Sequence, residues 1–143
     1  MHNIHIAGTG TWHPKDKITN EEIVASFNSY VDDFNKKNDE AIKNGDVEEM
    51  TYSSSDFIEK ASGIKTRYVI DKAGILDTSR MMPHIRNEDE SCLSIHAEMG
   101  IIAAKKAMKE ANVTASDIDA VILGTSHSAR NYPSVAIEIQ TEL

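Results

Sequence analysis

A long amphipathic helix followed by a continuous apolar run limits what this chain can fold into. Between Ser91 and Asn112, the residues Leu93, Ala97, Ile101, Ala104 and Met108 mark one face, the spacing of a helix packed on a core. Gly100, Ala103 and Ala107 beside them are small enough for close packing. Asp117-Ile118-Asp119 then leads into Ala120-Val121-Ile122-Leu123-Gly124. A run without polar alternation predicts a strand buried on both faces of a sheet. Strands alternating with helices place the chain in the α/β class, helices packed on a sheet.

The flanking segments extend this pattern. His2 to Thr9 alternates around Ile4 and Ile6 and runs into Gly8-Thr9-Gly10, which predicts a strand and a tight turn. Thr19-Asn20-Glu21-Glu22 is a capping-box sequence, and Ile23, Phe27, Tyr30, Val31 and Phe34 follow at helical spacing. Residues 35–46 are dense in Lys, Asp, Asn and Glu and read as exposed helix or loop. Ser53-Ser54-Ser55 predicts a cap for a short helix from Asp56 to Ser62, closed by Gly63. Lys65 to Ile70 predicts a short strand, and residues 71–90 a long loop with apolar anchors. Pro133 suits the first position of a final helix carrying Val135, Ile137 and Ile139. That helical pattern is still running at Leu143 with no cap, so the chain is expected to be a truncated one.

Composition narrows the functional classes. A formal net charge of -8 disfavours a nucleic-acid module, because phosphate contacts need clustered Lys and Arg. No apolar run approaches the roughly 18 residues of a membrane span. The start lacks the basic and apolar regions of a secretory signal. One cysteine, Cys92, cannot form an internal disulfide, so a cytoplasmic location is expected. The histidines show no paired spacing with Cys or Glu typical of zinc, and no metal is expected. Gly8-Thr9-Gly10 lacks the third glycine of a dinucleotide loop, and Pro14 interrupts the helix that would receive a pyrophosphate.

Four ordered blocks resemble one family. They are Ile6-Ala7-Gly8-Thr9-Gly10-Thr11 with Pro14 and Thr19-Asn20-Glu21-Glu22; Ser62-Gly63-Ile64-Lys65-Thr66-Arg67-Tyr68; the long helix ending Lys109-Glu110-Ala111-Asn112 with Asp117-Ile118-Asp119; and Tyr132-Pro133-Ser134-Val135 through Ile139-Gln140. In this order they are similar to β-ketoacyl-[acyl-carrier-protein] synthase III, a thiolase-fold condensing enzyme. The resemblance implies that residues 1–143 form an N-terminal part of that fold, a mixed sheet with helices packed on it. Segments 28–52 and 75–88 read as insertions or divergent loops.

The resemblance also implies a chemistry. In such enzymes a cysteine thiolate attacks an acyl-CoA thioester, and the acyl-enzyme condenses with malonyl-acyl carrier protein as carbon dioxide leaves. By this likeness the nucleophilic Cys, and the His and Asn that serve the malonyl group, lie beyond Leu143. No catalytic residue is therefore expected in this chain, which is expected to be inactive alone. Cys92, with no family motif around it, reads as a structural cysteine. Phe57 falls where the family has a tryptophan that stacks on the CoA adenine. The neighbouring family arginine falls at Ala61, so Lys60 or Lys65 is the candidate for a charged contact, and Lys60 is taken with Phe57 as substrate-binding. Tyr132 falls at the aromatic position that closes the partner's acyl pocket in a homodimer. CoA thioester and acyl carrier protein are implied as substrates, with no separate cofactor. A non-decarboxylating condensation of acyl-CoA molecules and a stand-alone binding or scaffold module are the alternatives.

Overall fold

The computed structural model describes residues 5–86, 92–127 and 132–143. They form two compact units, Pro14–Ile85 and Met1–His13 with Arg86–Leu143.

The unit Pro14–Ile85 is organised around a short antiparallel pair. Strand β1 (Asp16–Thr19) pairs with β2 (Thr66–Val69), with Ile18 opposite Arg67 and Thr19 opposite Thr66. Ile18 is fully buried, and Lys17 Nζ lies 5.6 Å from the centre of the Tyr68 ring. Thr19 then caps helix α1 (Asn20–Lys37). Its hydroxyl accepts from Glu22 N at 3.3 Å, and Glu22 Oε2 accepts from Thr19 N at 3.0 Å. Both orphan donors are thus satisfied, as the four-residue pattern predicts. Asn20, almost fully buried, sews the helix start to the end of the sheet. Its amide nitrogens donate to Lys65 O (3.2 Å) and Ile64 O (2.7 Å), and its Oδ1 accepts from Arg67 Nη1 at 3.3 Å. The arginine of the second sequence block thus bonds a neutral side-chain amide.

Helix α1 runs further than its apolar residues required, and α2 (Asp39–Asn44) follows, ending at Gly45 with φ 80°. Helix α3 (Ser55–Ser62) starts one residue before the predicted Asp56 because Ser54 is the cap. Gly63, at φ 71°, closes it in the left-handed conformation that glycine adopts cheaply. The predicted long loop contains a helical turn, α4 (Lys72–Leu76). Asp71 caps it. Asp71 Oδ1 accepts from Gly74 N at 3.1 Å, while Oδ2 accepts from His84 N and meets His84 Nδ1, both at 2.7 Å. These partners, the two backbone amides first, hold the Asp71 carboxyl down at a pKa of about 2.

In the second unit the long helix is α5 (Ile95–Ala111). Ser94 caps it, accepting from Ala97 N at 3.2 Å, and Asn112 ends it with φ 55°. The predicted first residue of this helix, Ser91, lies outside the described residues. Helix α6 (Val135–Glu142) packs on α5. Pro133 precedes its cap, Ser134, rather than opening the helix. Ala97, Ile101, Val135 and Ile139 form the core, with Leu93, Val121 and Leu143 against it. Burying a side chain such as Ile139 contributes about 1.5–3 kcal/mol. Gly100 leaves room for Ile139, whose Cγ1 would lie 3.2 Å from an added Cβ. Glu138 is buried too, and its Oε2 accepts from Ser94 N at 2.8 Å, tying α6 to the first turn of α5.

Two predicted strands are absent from the described residues. Residues 5–10 form no strand, and Gly8 and Gly10 make no turn. They lie against the α5 backbone instead: a Cβ on Gly10 would meet Ala103 O and Ala107 N, and one on Gly8 would meet Ala107 O and Ala111 N. Thr9 donates through N and Oγ1 to Glu110 Oε2 at 2.7 and 2.9 Å, and Lys106 Nζ donates to Thr11 O at 2.8 Å. The glycines thus serve close approach to the C-terminal half of a helix, which is no place for a pyrophosphate. His2, Asn3 and Ile4, the start of that predicted strand, lie outside the described residues. The second predicted strand is Ala120–Gly124, which joins no sheet among the described residues, with Ile122 94% exposed. A strand exists only through its ladder partners, and here none is present. The α/β class itself holds, in helices and a small sheet.

Candidate functional site

Helix α3 carries two of the three residues singled out from the sequence. Ser54 Oγ accepts from Phe57 N at 3.1 Å, which fixes Phe57 in the first turn. The Phe57 ring is 66% exposed; a residue serving only to pack the helix would be covered. Lys60 follows three residues later, so both side chains rise from one helix face. Lys65, the other candidate cation, is engaged by Glu59, Nζ to Oε1 3.0 Å. Ala61 offers no charge.

Phe57 faces a cleft. Its lining is Phe27 from α1, Thr51, Tyr52, Ser53 and Ser54 from the segment before α3, and Phe57 itself. Beside it, Ile23, Val24, Phe27, Ser53, Ile58 and Met81 line an apolar pocket that shares Phe27 and Ser53. Aromatic faces with a hydroxyl-bearing rim suit a flat heteroaromatic ring, which stacks through its face and hydrogen-bonds at its edge.

The segment 50–53 is held by α1. Asn35 accepts from Met50 N at 3.0 Å and donates to Met50 O at 2.9 Å. Asn28 does the same at Ser53, at 2.9 and 3.1 Å. Between them the Tyr52 hydroxyl donates to Asp32 Oδ1. That hydrogen bond and the Asp32 charge push the Tyr52 phenol pKa up, so the ring stays neutral at ordinary pH. Asn28, Asp32 and Asn35 stand at helical spacing and form one polar stripe on α1. In sequence, residues 28–52 read as an insertion or a divergent loop. The signal that could have found the stripe was this i, i+4, i+7 recurrence of short polar side chains.

Tyr132 belongs to the other unit. It is 84% exposed, precedes Pro133 through a cis peptide, and stands two residues before the α6 cap.

No protein-family model matches the chain. Over 118 residues it is 46% identical to the β-ketodecanoyl-[acyl-carrier-protein] synthase of Pseudomonas aeruginosa, a match covering 82% of this chain and 34% of that protein. The chain is a relative of the β-ketoacyl-[acyl-carrier-protein] synthase III proteins. It is 32% identical over 138 residues to the synthase III of Bartonella bacilliformis, covering 96% of this chain and 29% of that one. With the synthase III of Psychromonas ingrahamii the identity is 35% over 100 residues, 70% of this chain and 25% of that one. The chain thus spans about a third or less of the curated synthases it matches. The structure of the priming β-ketosynthase from the R1128 polyketide biosynthetic pathway superposes with a TM-score of 0.57. It covers 96% of this chain and 28% of its own, at 19% identity, and so shows the fold alone. That fold is part of a thiolase-like ketosynthase fold.

Cys92 is exposed and precedes the Ser94 cap, outside α5. Among the described residues no three His, Cys, Asp or Glu side chains gather as metal ligands, and no helix is long and apolar enough to cross a membrane.

Proposed function

We propose that this chain is the donor-recognition part of a synthase III acyltransferase. The whole protein would perform decarboxylative Claisen condensation of an acyl-CoA with malonyl-acyl carrier protein in fatty-acid biosynthesis, in the cytoplasm. The observation that carries the reading is the 46% identity to a β-ketodecanoyl synthase, stronger than the 32–35% to proteins named only synthase III.

In the proposed reaction a cysteine outside these 143 residues attacks the thioester carbonyl, and CoA leaves as its thiol. Malonyl-acyl carrier protein then loses carbon dioxide. The electron pair of the broken carbon–carbon bond attacks the acyl carbon, and the cysteine thiolate departs. A His and an Asn, also outside this chain, stabilise the developing oxyanion. Phe57 stacks on the adenine of CoA, Lys60 faces its phosphates, and Tyr132 closes the acyl pocket of the partner in a homodimer. A ten-carbon β-keto product needs an eight-carbon donor, since malonyl contributes two carbons, so octanoyl-CoA is the proposed donor.

The test is product analysis. The longer polypeptide encoded in the same reading frame, given octanoyl-CoA and malonyl-acyl carrier protein, is expected to yield β-ketodecanoyl-acyl carrier protein and carbon dioxide. A stop directly after the Leu143 codon, or no condensation with any acyl-CoA, would sink the reading. Faster reaction with acetyl-CoA than with octanoyl-CoA would remove the chain-length part alone.

A further inference from the structure

The excursion from Asn28 to Tyr52 ends on an exposed ring that is held unusually firmly. Tyr52 is 62% exposed, yet its hydroxyl is bound by Asp32 and the backbone on either side is clamped by Asn35 and Asn28. The chain has four Tyr, three Phe and one Trp, and three of these rings line one cleft, Phe27, Tyr52 and Phe57. An exposed aromatic side chain gains little from ordering itself in water. Fixing one in advance lowers the cost of a later contact with its face. The rest of the rim is Thr51, Ser53 and Ser54, hydroxyl donors and acceptors at the edge of an inserted ring.

We infer that Tyr52 is a second aromatic wall of the Phe57 cleft, held there by the Asn28–Asp32–Asn35 stripe, and that the cleft takes an adenine-type base carrying phosphate. The inference rests on the donor-binding reading above and assigns that site a residue it did not include. Where the familiar arginine position holds Ala61, affinity for the base comes from a second stacking face, with charge from Lys60. The same chemistry is presented by the nucleotide end of CoA and by a free adenine nucleotide.

The 143-residue chain titrated with CoA, 3′,5′-ADP and AMP, observed by proton NMR, tests this. Stacking between two rings is expected to move the adenine H2 and H8 signals upfield. Tyr52→Ala is expected to weaken binding about ten-fold and to halve that shift or more, an effect of the size seen for one base-stacking ring. Tyr52→Phe keeps the ring and is expected to stay within about three-fold of wild type, which excludes a mere folding defect in this segment. Tighter binding of CoA and 3′,5′-ADP than of AMP assigns the cleft to CoA, and equal binding assigns it to adenine nucleotides generally; both uphold the base-binding wall. Phe57→Ala weakening CoA while Tyr52→Ala leaves affinity and shift unchanged overturns the inference and spares the donor-binding reading. No binding of any of the three by wild type overturns both.

Discussion

The two units solve the same problem, how to bring a non-helical segment against a helix, in opposite ways. In the unit containing α5 the segment 8–10 carries glycines, and backbone meets backbone at Ala103, Ala107 and Ala111. In the unit containing α1 the segment 50–53 carries ordinary residues, and α1 reaches out with Asn28 and Asn35 to satisfy its amides and carbonyls. The first solution depends on the absence of side chains, the second on side chains that imitate a neighbouring strand. Close approach gives packing density but no tolerance of added volume. Amide clamps hold the segment at a distance and leave room for the cleft between α1 and α3. The cleft therefore belongs to the polar solution.

Substitutions separate the two solutions. Ile139→Ala empties the α5–α6 core and is expected to cost about 2–5 kcal/mol in chemical denaturation, with hydrogen-exchange protection lost from α5 and α6. Gly10→Ala drives a Cβ into the α5 backbone, which cannot move aside as a flexible side chain can. About 1–3 kcal/mol of destabilisation is expected there. A cost below about 0.5 kcal/mol at Gly10 would show that the segment does not lie on α5. Asn35→Ala removes two hydrogen bonds, each worth about 1 kcal/mol net. Its expected signature is local: faster exchange at Met50 and a mobile Tyr52 ring, with α5 unchanged. Equal loosening of α5 would contradict the contrast.

The smallest expected effect is one of pH. The Asp71 carboxylate is held down at about 2 in the folded chain, below its ordinary 3.8. A depressed carboxylate stabilises the fold above its unfolded pKa. That contribution is fully present above about pH 4–5 and is lost as pH falls through about 2. The protection of Gly74 N and His84 N, the amides it accepts from, measured against the unfolded-chain exchange rate at each pH, is expected to fall in acid over that window, and Asp71→Asn is expected to flatten the profile. An unchanged profile in the variant would mean that Asp71 does not hold this turn.

The same contrast decides what was legible in the sequence. The Thr19 capping box, the Gly63 stop, β2 and the long helix were readable because each is fixed by residues a few positions apart. Strand β1 was missed because four residues carrying one buried Ile18 make no pattern without β2 beside them. Ala120–Gly124 was read as buried because apolar runs usually are, yet burial needs a partner and Ile122 has no cover here. Gly8 and Gly10 were read through their own conformation, whereas the α5 backbone is what requires them. The candidates Phe57, Lys60 and Tyr132 came from family resemblance. Tyr52 did not, because its role depends on three α1 side chains that look like a solvated helix face until the chain returns to meet them.

On the proposed function, recognition and chemistry are divided: the cleft of this chain binds the donor, and the nucleophile lies outside these 143 residues. One calorimetric titration of the purified 143-residue chain with octanoyl-CoA, followed in the same sample by malonyl-acyl carrier protein and mass analysis, tests that division. Binding of octanoyl-CoA with no acyl-enzyme and no β-ketodecanoyl product is the predicted result. Acylation of Cys92 or formation of product would contradict it, as would the absence of any binding.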